Sequence, residues 1–235
     1  MTTSPSGNPL GPFVSPPPVG ISKQISTTLP GRLVTLVPGH GSHVEDLFEV
    51  LGGVENAVIW DYIPFGPFMK SEDLENCFTL HWQNPDEAFF TIINNATKKA
   101  VGSLALIRID RENRCLEVGY VLLSKQLQRT VEATEVMYLL ACHVFDKLGY
   151  RRYEWKCDIL NGPSKRAALR LGFQFEGVFR QHLIIKGRNR DTAWFAMMDG
   201  EWPTVKKGFE GWLDADNFDQ EGKQLKSLAA VRGSV

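Results

Sequence analysis

A carboxylate in the middle of an otherwise apolar strand pattern is the first candidate for chemistry. In Cys115-Leu-Glu-Val-Gly-Tyr-Val-Leu-Leu123, period-two alternation puts Cys115, Glu117, Gly119, Val121 and Leu123 on one face. Burying Glu117 there would raise its pKa toward the range useful to a general base. The same carboxylate is equally well read as one half of an ion pair with Arg114 or another basic residue. A second candidate is Asn161-Gly-Pro-Ser164. Pro163 suits the first position of a helix, Asn161 or Gly162 the cap, and Ser164 the first turn. Ser164 is the only hydroxyl of that segment, free either to hand over a proton or simply to satisfy the helix start. Lys165 and Arg166 beside it either meet an anion or are solvated.

The third candidate is a loop, Ser124-Lys-Gln-Leu-Gln-Arg-Thr130, placed between a strand and a long helix. The free N–H groups and the dipole at a helix start favour an anion such as a pyrophosphate. Thr130 could instead be an ordinary cap. Further along, His182 ends a strand pattern, where it either lines a site or serves the fold. Trp60-Asp-Tyr-Ile-Pro-Phe-Gly-Pro-Phe68 is rigid and aromatic, so Trp60, Tyr62, Phe65 and Phe68 form either a lid over the core or the wall of an acceptor site. Lys186, Arg188 and Arg190 make a basic turn, read as a solvated hairpin tip or as an attractor of acidic ligands.

The elements that must position these residues are readable from periodicity. Residues 33–37 alternate as a strand, Ser42 is placed to cap a helix to about residue 51, and Ser71 a second to about 82. Strands follow at about 89–94, 101–110, 115–123, 153–158, 175–185 and 192–198. The helix over 131–148 is apolar round most of its circumference, with Glu132, Glu135, His143 and Asp146 on one stripe. Such a helix lies against a sheet, which predicts an α/β (α+β) fold with a mixed, mostly antiparallel sheet flanked by helices. Residues 1–28 carry prolines at 5, 9, 12, 16, 17 and 18 and read as a disordered Pro/Ser-rich arm, with a ligand for a partner module as the alternative. Residues 29–213 read as one domain and 214–235 as a polar tail.

Composition narrows the function class. The 235 residues suffice for one sizeable core, and a net charge of −1 gives no global field to recruit nucleic acid or an anionic membrane. No apolar run approaches the roughly 20 residues of a membrane span. The four cysteines stand singly, with neither a C-x-x-C nor a Cys/His cluster of zinc spacing. No metal is therefore called for, and a cytoplasmic protein is expected. A G-x-S-x-G elbow, a P-loop and an H-E-x-x-H are all missing.

The order of strand, polar loop, long helix, strand, N-x-x-S and Leu171-Gly172-Phe173 resembles the acetyl-CoA-binding core of the GCN5-related N-acetyltransferase (GNAT) superfamily. Its branch of ribosomal-protein N-terminal acetyltransferases is the most similar. The resemblance covers about residues 29–198. It implies acetyl-CoA as co-substrate, a primary amine as acceptor, and a base at the position of Glu117. It also implies that Asn161 contacts the pantetheine arm, that Ser164 protonates the departing thiolate, and that a backbone N–H near Leu122 or Leu123 polarises the thioester carbonyl. The family's phosphate loop reads Gln/Arg-x-x-Gly-x-Gly/Ala, and here the chain departs from it. Gln126 to Val131 and Gln128 to Ala133 are the two possible registers, and neither holds a glycine. Ala133 fits the permissive last position of the second register, with Val131 in place of the first glycine. The Thr130 hydroxyl and the Arg129 charge would offset the lost close approach, while Glu132 would repel a phosphate if it faced inward. Arg166 would meet the CoA phosphates, and His182 and the aromatic loop the acceptor. The expected activity is acetyl transfer to a small-molecule amine, an amino acid or a peptide N-terminus. The alternative is a catalytically silent acyl-CoA-binding regulatory module, and monomer and homodimer both stay open.

Overall fold

The computed structural model describes residues 2–17 and 24–234; the rest of the proposed arm, residues 1 and 18–23, lies outside the described residues. A two-stranded ribbon, β1 (Thr2–Thr3) with β2 (Pro9–Leu10), stands apart from the main sheet. The main sheet has eight strands: β3 (Leu29–Pro30), β4 (Val34–Pro38), β5 (Ala88–Asn94), β6 (Ala100–Asp110), β7 (Cys115–Leu123), β8 (Arg152–Asp158), β9 (Gln174–Ile185) and β10 (Arg188–Met198). Their order is β3-β4-β5-β6-β7-β8-β10-β9, with every pairing antiparallel except β7 with β8. This is the mixed, mostly antiparallel sheet that the alternation predicts.

Helices α1 (Val44–Leu51) and α2 (Ser71–Trp82) cover one face over β5 to β7, with Leu47, Leu51, Trp60, Leu74, Phe78 and Leu122 forming its core. Neither start is capped as expected: the His40 ring takes the Ser42 N–H in a short helical turn before α1, and Ser71 is the first residue of α2 after Lys70. The opposite face carries α3 (Val131–Cys142), α4 (Gly162–Leu171), α5 (Trp202–Leu213) and α6 (Leu228–Arg232) over the larger core. No residue of β8, β9 or β10 belongs to the core under α1 and α2, so that half of the first face is left as a trough.

The polar stripe of the long helix is a set of anchors. Buried Glu135 accepts three backbone N–H groups, from Arg32 (3.0 Å), Leu33 (2.7 Å) and Val34 (2.8 Å), and so fixes the entry to β4. Gly31 belongs to the same joint, because a Cβ there would stand 2.9 Å from the carboxylate and 2.7 Å from Leu139. His143 donates through Nε2 to the Ile25 carbonyl (2.8 Å), and Asp146 accepts from Trp202 Nε1 (2.7 Å). From His143 to Lys147 the helix widens, so the Leu148 N–H reaches the His143 carbonyl at 2.9 Å.

Two boundaries differ from the sequence expectation. Ile25 is buried in the main core, so packed chain begins before residue 29. Leu228 is buried there too, and Arg232 donates to the Arg170 carbonyl (3.2 Å), so the described part of the proposed tail, residues 214–234, folds back on α4 and α5. The apolar residues that do this are few and widely spaced, which is why a polar composition concealed them. Among the described residues, no helix is long and apolar enough to cross a membrane.

Candidate active site

β7 and β8 pair in parallel only from Cys115/Arg152 to Val118/Trp155. Beyond that point β8 stays with β10 and β7 stays with β6, so a wedge opens between Gly119–Leu123 and Lys156–Asp158. The edge of β7 that faces β8 has no ladder partner there. A second irregularity sits on the same stretch. Ser103 pairs with Leu122 and Ala105 with Gly119, which leaves one extra residue in β7, and Tyr120 takes a left-handed φ of 49°. This bulge corrects the simple alternation. Leu122, rather than Val121 or Leu123, shares the face of Glu117, and Tyr120 turns to stack on Phe89 (5.6 Å, 22°).

Glu117 lies at the apex of the wedge, 5% exposed. Its Oε2 is 3.0 Å from Arg108 Nε and 3.0 Å from Lys156 Nζ. Arg108 reaches it from a bulge in β6, with φ of 50°. Arg114, the partner anticipated from sequence, instead donates to the Ser15 carbonyl (2.9 Å). Lys156 also pairs with Glu154 at 2.6 Å, Glu154 with Arg152 at 2.6 Å, and Arg152 with Glu176 at 2.6 Å. Burial raises the Glu117 pKa, and the two cations only partly pull it back. For Glu154 burial pushes the same way, but hydrogen bonds from Lys156 and Arg152 outweigh it and hold the carboxyl below its ordinary value. The two neighbouring carboxylates are thus driven apart, leaving Glu117 the better proton acceptor near neutral pH.

The wedge mouth is built by two helix starts. Thr130 caps α3, its Oγ1 accepting from the Ala133 N–H (3.2 Å) and donating to the Leu127 carbonyl (2.7 Å). The N–H groups of Val131 and Glu132 have no intrahelical acceptor by helix geometry. Arg129, exposed, turns the loop with φ of 65°, a role glycine fills at low cost, and Gln128 Nε2 donates to the Leu123 carbonyl (2.9 Å). Across the wedge, Asn161 Oδ1 takes the Ser164 N–H (3.1 Å), so Asn161 caps α4. Ser164 Oγ accepts from Trp155 Nε1 (3.0 Å) and also bonds the Cys157 side chain, so its proton is shared with that sulfur. Arg166 is exposed on the first turns of α4 and bends back over Gly162.

The aromatic loop divides into two roles. Trp60 is wholly buried and donates to the Leu51 carbonyl (2.7 Å), so it belongs to the second core and not to an accessible wall, while partly buried Phe68 packs edge-on against it (5.1 Å). Phe65 reaches Tyr120 (5.2 Å) and His81 (4.9 Å) beside the bulge. Tyr62 spans to the Leu160 carbonyl (3.3 Å) before α4, while Lys186 at the β9–β10 tip donates to the Trp60 carbonyl (2.8 Å). Lys125 of the α3 loop donates to the Glu55 carbonyl. The loop is therefore strapped to both sides of the wedge. His182 Nδ1 bonds Thr192 Oγ1 (2.9 Å) on the floor of the open trough. Lys156, Arg108 and Trp194 were missed by sequence reasoning. A signal existed for the first: Glu154, Lys156 and Asp158 alternate with Tyr153, Trp155 and Cys157 along β8.

Residues 34–174 match the model of the acetyltransferase (GNAT) domain, more than half of the chain. The chain belongs to the GNAT acetyltransferase family. A GCN5-related N-acetyltransferase from Brucella melitensis is 39% identical in its crystal structure, with a TM-score of 0.86 over 92% of this chain and 97% of that one. The uncharacterized N-acetyltransferase p20 of Bacillus licheniformis is 32% identical over 113 residues, 48% of this chain and 63% of the relative. YdaF of Bacillus subtilis, provisionally named a ribosomal N-acetyltransferase, is 27% identical over 105 residues, 45% of this chain and 57% of its own length. The chain thus spans less than two thirds of the length of these curated relatives. In the GNAT fold the wedge at β7 and β8 is where this chain's candidate residues gather: Glu117, Leu122, Leu123, Gln128 to Ala133, Asn161 and Ser164 all stand on its two sides.

Proposed function

We propose that this GNAT protein transfers the acetyl group of acetyl-CoA to the nitrogen of a primary amine. The observation that carries the reading is the parting of β7 from β8 immediately beyond Val118 and Trp155, with the pKa-raised Glu117 at the apex. The surroundings fit the co-substrate. An open strand edge suits the amides of a pantetheine arm, which pair with it as an added strand would. The start of α3, with Arg129 beside it, suits a pyrophosphate. Acetyl-CoA supplies a thioester, an acyl group already activated toward nitrogen.

The chain's own residues divide the remaining work. Glu117 takes a proton from the bound ammonium, directly or through a water, because an amine of pKa about 8 to 10.5 arrives protonated at neutral pH. The backbone N–H of Leu122 or Leu123 polarises the thioester carbonyl. As the new C–N bond forms and the C–S bond breaks, Ser164 gives its proton to the thiolate and regains one from solvent, to which Glu117 releases the proton it took. Asn161, committed to capping α4, acts by fixing that helix start. The acceptor is a small-molecule amine, an amino acid or a peptide N-terminus, and the ribosomal name of the Bacillus subtilis relative favours an amine carried by a protein.

One observation favours a silent acyl-CoA-binding module instead: Glu117 is held by two cations, beside a loop that lacks the family's glycines. Thiol release from acetyl-CoA, followed over small amines, amino acids and peptides with free N-termini, separates the two readings. Release dependent on any amine supports transfer. Binding of acetyl-CoA without release across the panel overturns it.

A further inference from the structure

Close ion pairing in the open trough is uneven. Lys156 is matched by Glu117 and Glu154, Arg108 by Glu117, and Arg152 by Glu154 and Glu176. Arg190, on the same face, is not matched. It is partly buried, and its one hydrogen bond runs from Nε to Thr192 Oγ1 (3.1 Å). Among the described residues its two terminal nitrogens have no partner, and no carboxylate lies within 4 Å of it. Asp158 stands opposite Thr192 in the ladder but accepts the Leu160 N–H (2.8 Å) and makes no ion pair with Arg190. Burial lowers the Arg190 pKa, and the charges of Glu117 and Asp158, neither within ion-pair distance, offset that only in part.

Two neighbours point the same way. Trp194, on which Lys156 rests 3.8 Å from the ring centre, buries its Nε1 with no acceptor among the described residues. His182, bonded to the Thr192 hydroxyl that Arg190 also uses, is held below its ordinary pKa by burial and then by the positive charges of Arg108, Arg190 and Lys156. The trough thus carries hydrogen-bond donors in excess of acceptors. Thr192 lies two residues along β10 from Trp194, about 7 Å, and Trp194 pairs with Lys156, which touches Glu117. An anion on Arg190 would therefore sit a short molecule's length from the base.

We propose that Arg190 holds an anionic group of the acceptor, so that the preferred substrates are primary amines bearing a carboxylate or phosphate within a few bonds of the nitrogen. This rests on the acetyl transfer proposed above. A guanidinium offers such a group two parallel N–H donors, which an ammonium cannot. Arg108 and Lys156 strengthen the attraction and, by their charge, make the bound ammonium easier to deprotonate.

Matched pairs test this: alanine against alaninamide, O-phosphoethanolamine against ethanolamine, and the amidated tripeptides Asp-Ala-Ala against Asn-Ala-Ala. Each pair is assayed by thiol release and, with the protein saturated in CoA, by calorimetric titration. The charged member of at least one pair should be preferred by about 10- to 100-fold in kcat/KM, the range of one charge-assisted pairing. The favoured pair tells a free small molecule from a peptide N-terminus. Arg190→Gln should abolish the preference and Arg190→Lys restore part of it, with the CoA-induced rise in melting temperature reporting that each variant is folded. Amines acetylated with no preference for charge, or a preference that survives Arg190→Gln, would overturn the anion site while leaving acetyl transfer intact. If no amine is acetylated, acetyl transfer falls, and the titration decides the anion site alone. Tighter binding of the charged members, lost in Arg190→Gln, upholds it, and equal binding overturns it.

Discussion

Replacing Glu117 by Gln keeps the side chain's shape while removing its capacity to accept a proton. If Glu117 is the base, turnover near neutral pH should fall by roughly 10²- to 10⁴-fold, the usual contribution of a positioned general base. This range corresponds to about 2.7 to 5.4 kcal/mol in the barrier. The structure limits how much of any loss can be blamed on unfolding. Lys156 keeps Glu154 at 2.6 Å when Glu117 is neutralised, and Arg108 is half exposed and can turn to solvent. The stability cost should then stay below the roughly 3 to 5 kcal/mol of a buried charge stripped of its only partner. Acetyl-CoA affinity should change little, since the residue faces the acceptor side of the wedge. The loss should shrink as pH rises toward the amine's own pKa, because the acceptor then arrives deprotonated. Lys156→Met supplies a control with opposite content. Removing one of the two charges that oppose burial raises the Glu117 pKa further, so the acidic limb of the pH–rate profile should move to higher pH. Ser164→Ala should cost less than Glu117→Gln, because solvent can protonate a thiolate. Steady-state thiol release from pH 6 to 10 reads all of these. An undiminished rate in Glu117→Gln, or an acidic limb that ignores Lys156, would reduce Glu117 to a structural ion pair and leave His182 or water as the base.

CoA at 100 times its dissociation constant should stabilise the fold by about 2.7 kcal/mol, visible as a higher melting temperature. Arg129→Ala and Asn161→Ala should both diminish that rise, and Asn161→Ala should also cost about 1 kcal/mol in the ligand-free protein as a lost cap. Deleting residues 1–17 should move the denaturation midpoint only slightly, since the bond from Arg114 to the Ser15 carbonyl is exposed. Deleting residues 1–28 should lower it, because Ile25 and the carbonyl that engages His143 go with them. The His143 pKa is lowered by burial, so the unfolded chain binds a proton that the folded one resists. Stability from this group is complete above the unfolded value of about 6.5 and is lost as pH falls from there toward the lowered folded value. Urea midpoints between pH 8 and 5 should show that slope, and His143→Gln should flatten it.

The extent of β7, Cys115–Leu123, and the helix behind it were readable because period-two and helical patterns there are long and uninterrupted. The cap roles of Thr130 and Asn161 were readable too, since both are side-chain types that local geometry favours at those places. What alternation could not supply was the pair of bulges at Arg108 and Tyr120. Each puts a non-glycine residue in a left-handed conformation that no local signal marks, and each is sustained by tertiary contacts, the Glu117 ion pair and the Phe89 ring. Trp60 misled for a related reason: an aromatic in a proline-rich loop looks available, and only three-dimensional packing reveals that it is buried. Lys156 shows the limit of residue-by-residue reading. Its side chain is 3% exposed, which is affordable only because carboxylates from two strands meet it, one of them 39 positions away.

The three amide bonds to Glu135 carry a consequence for how the chain is made. The carboxylate that fixes the start of β4 lies 101 to 103 residues downstream of the amides it holds. During synthesis at about 5 to 20 residues per second, the N-terminal strand has no such anchor until α3 has left the ribosome, several seconds later. Until then Val34 and Leu36, both wholly buried in the finished protein, are exposed on a strand that other unfinished chains could join. Slowing translation between residues 40 and 135 should therefore favour aggregation over folding, even though the mature protein is unaltered.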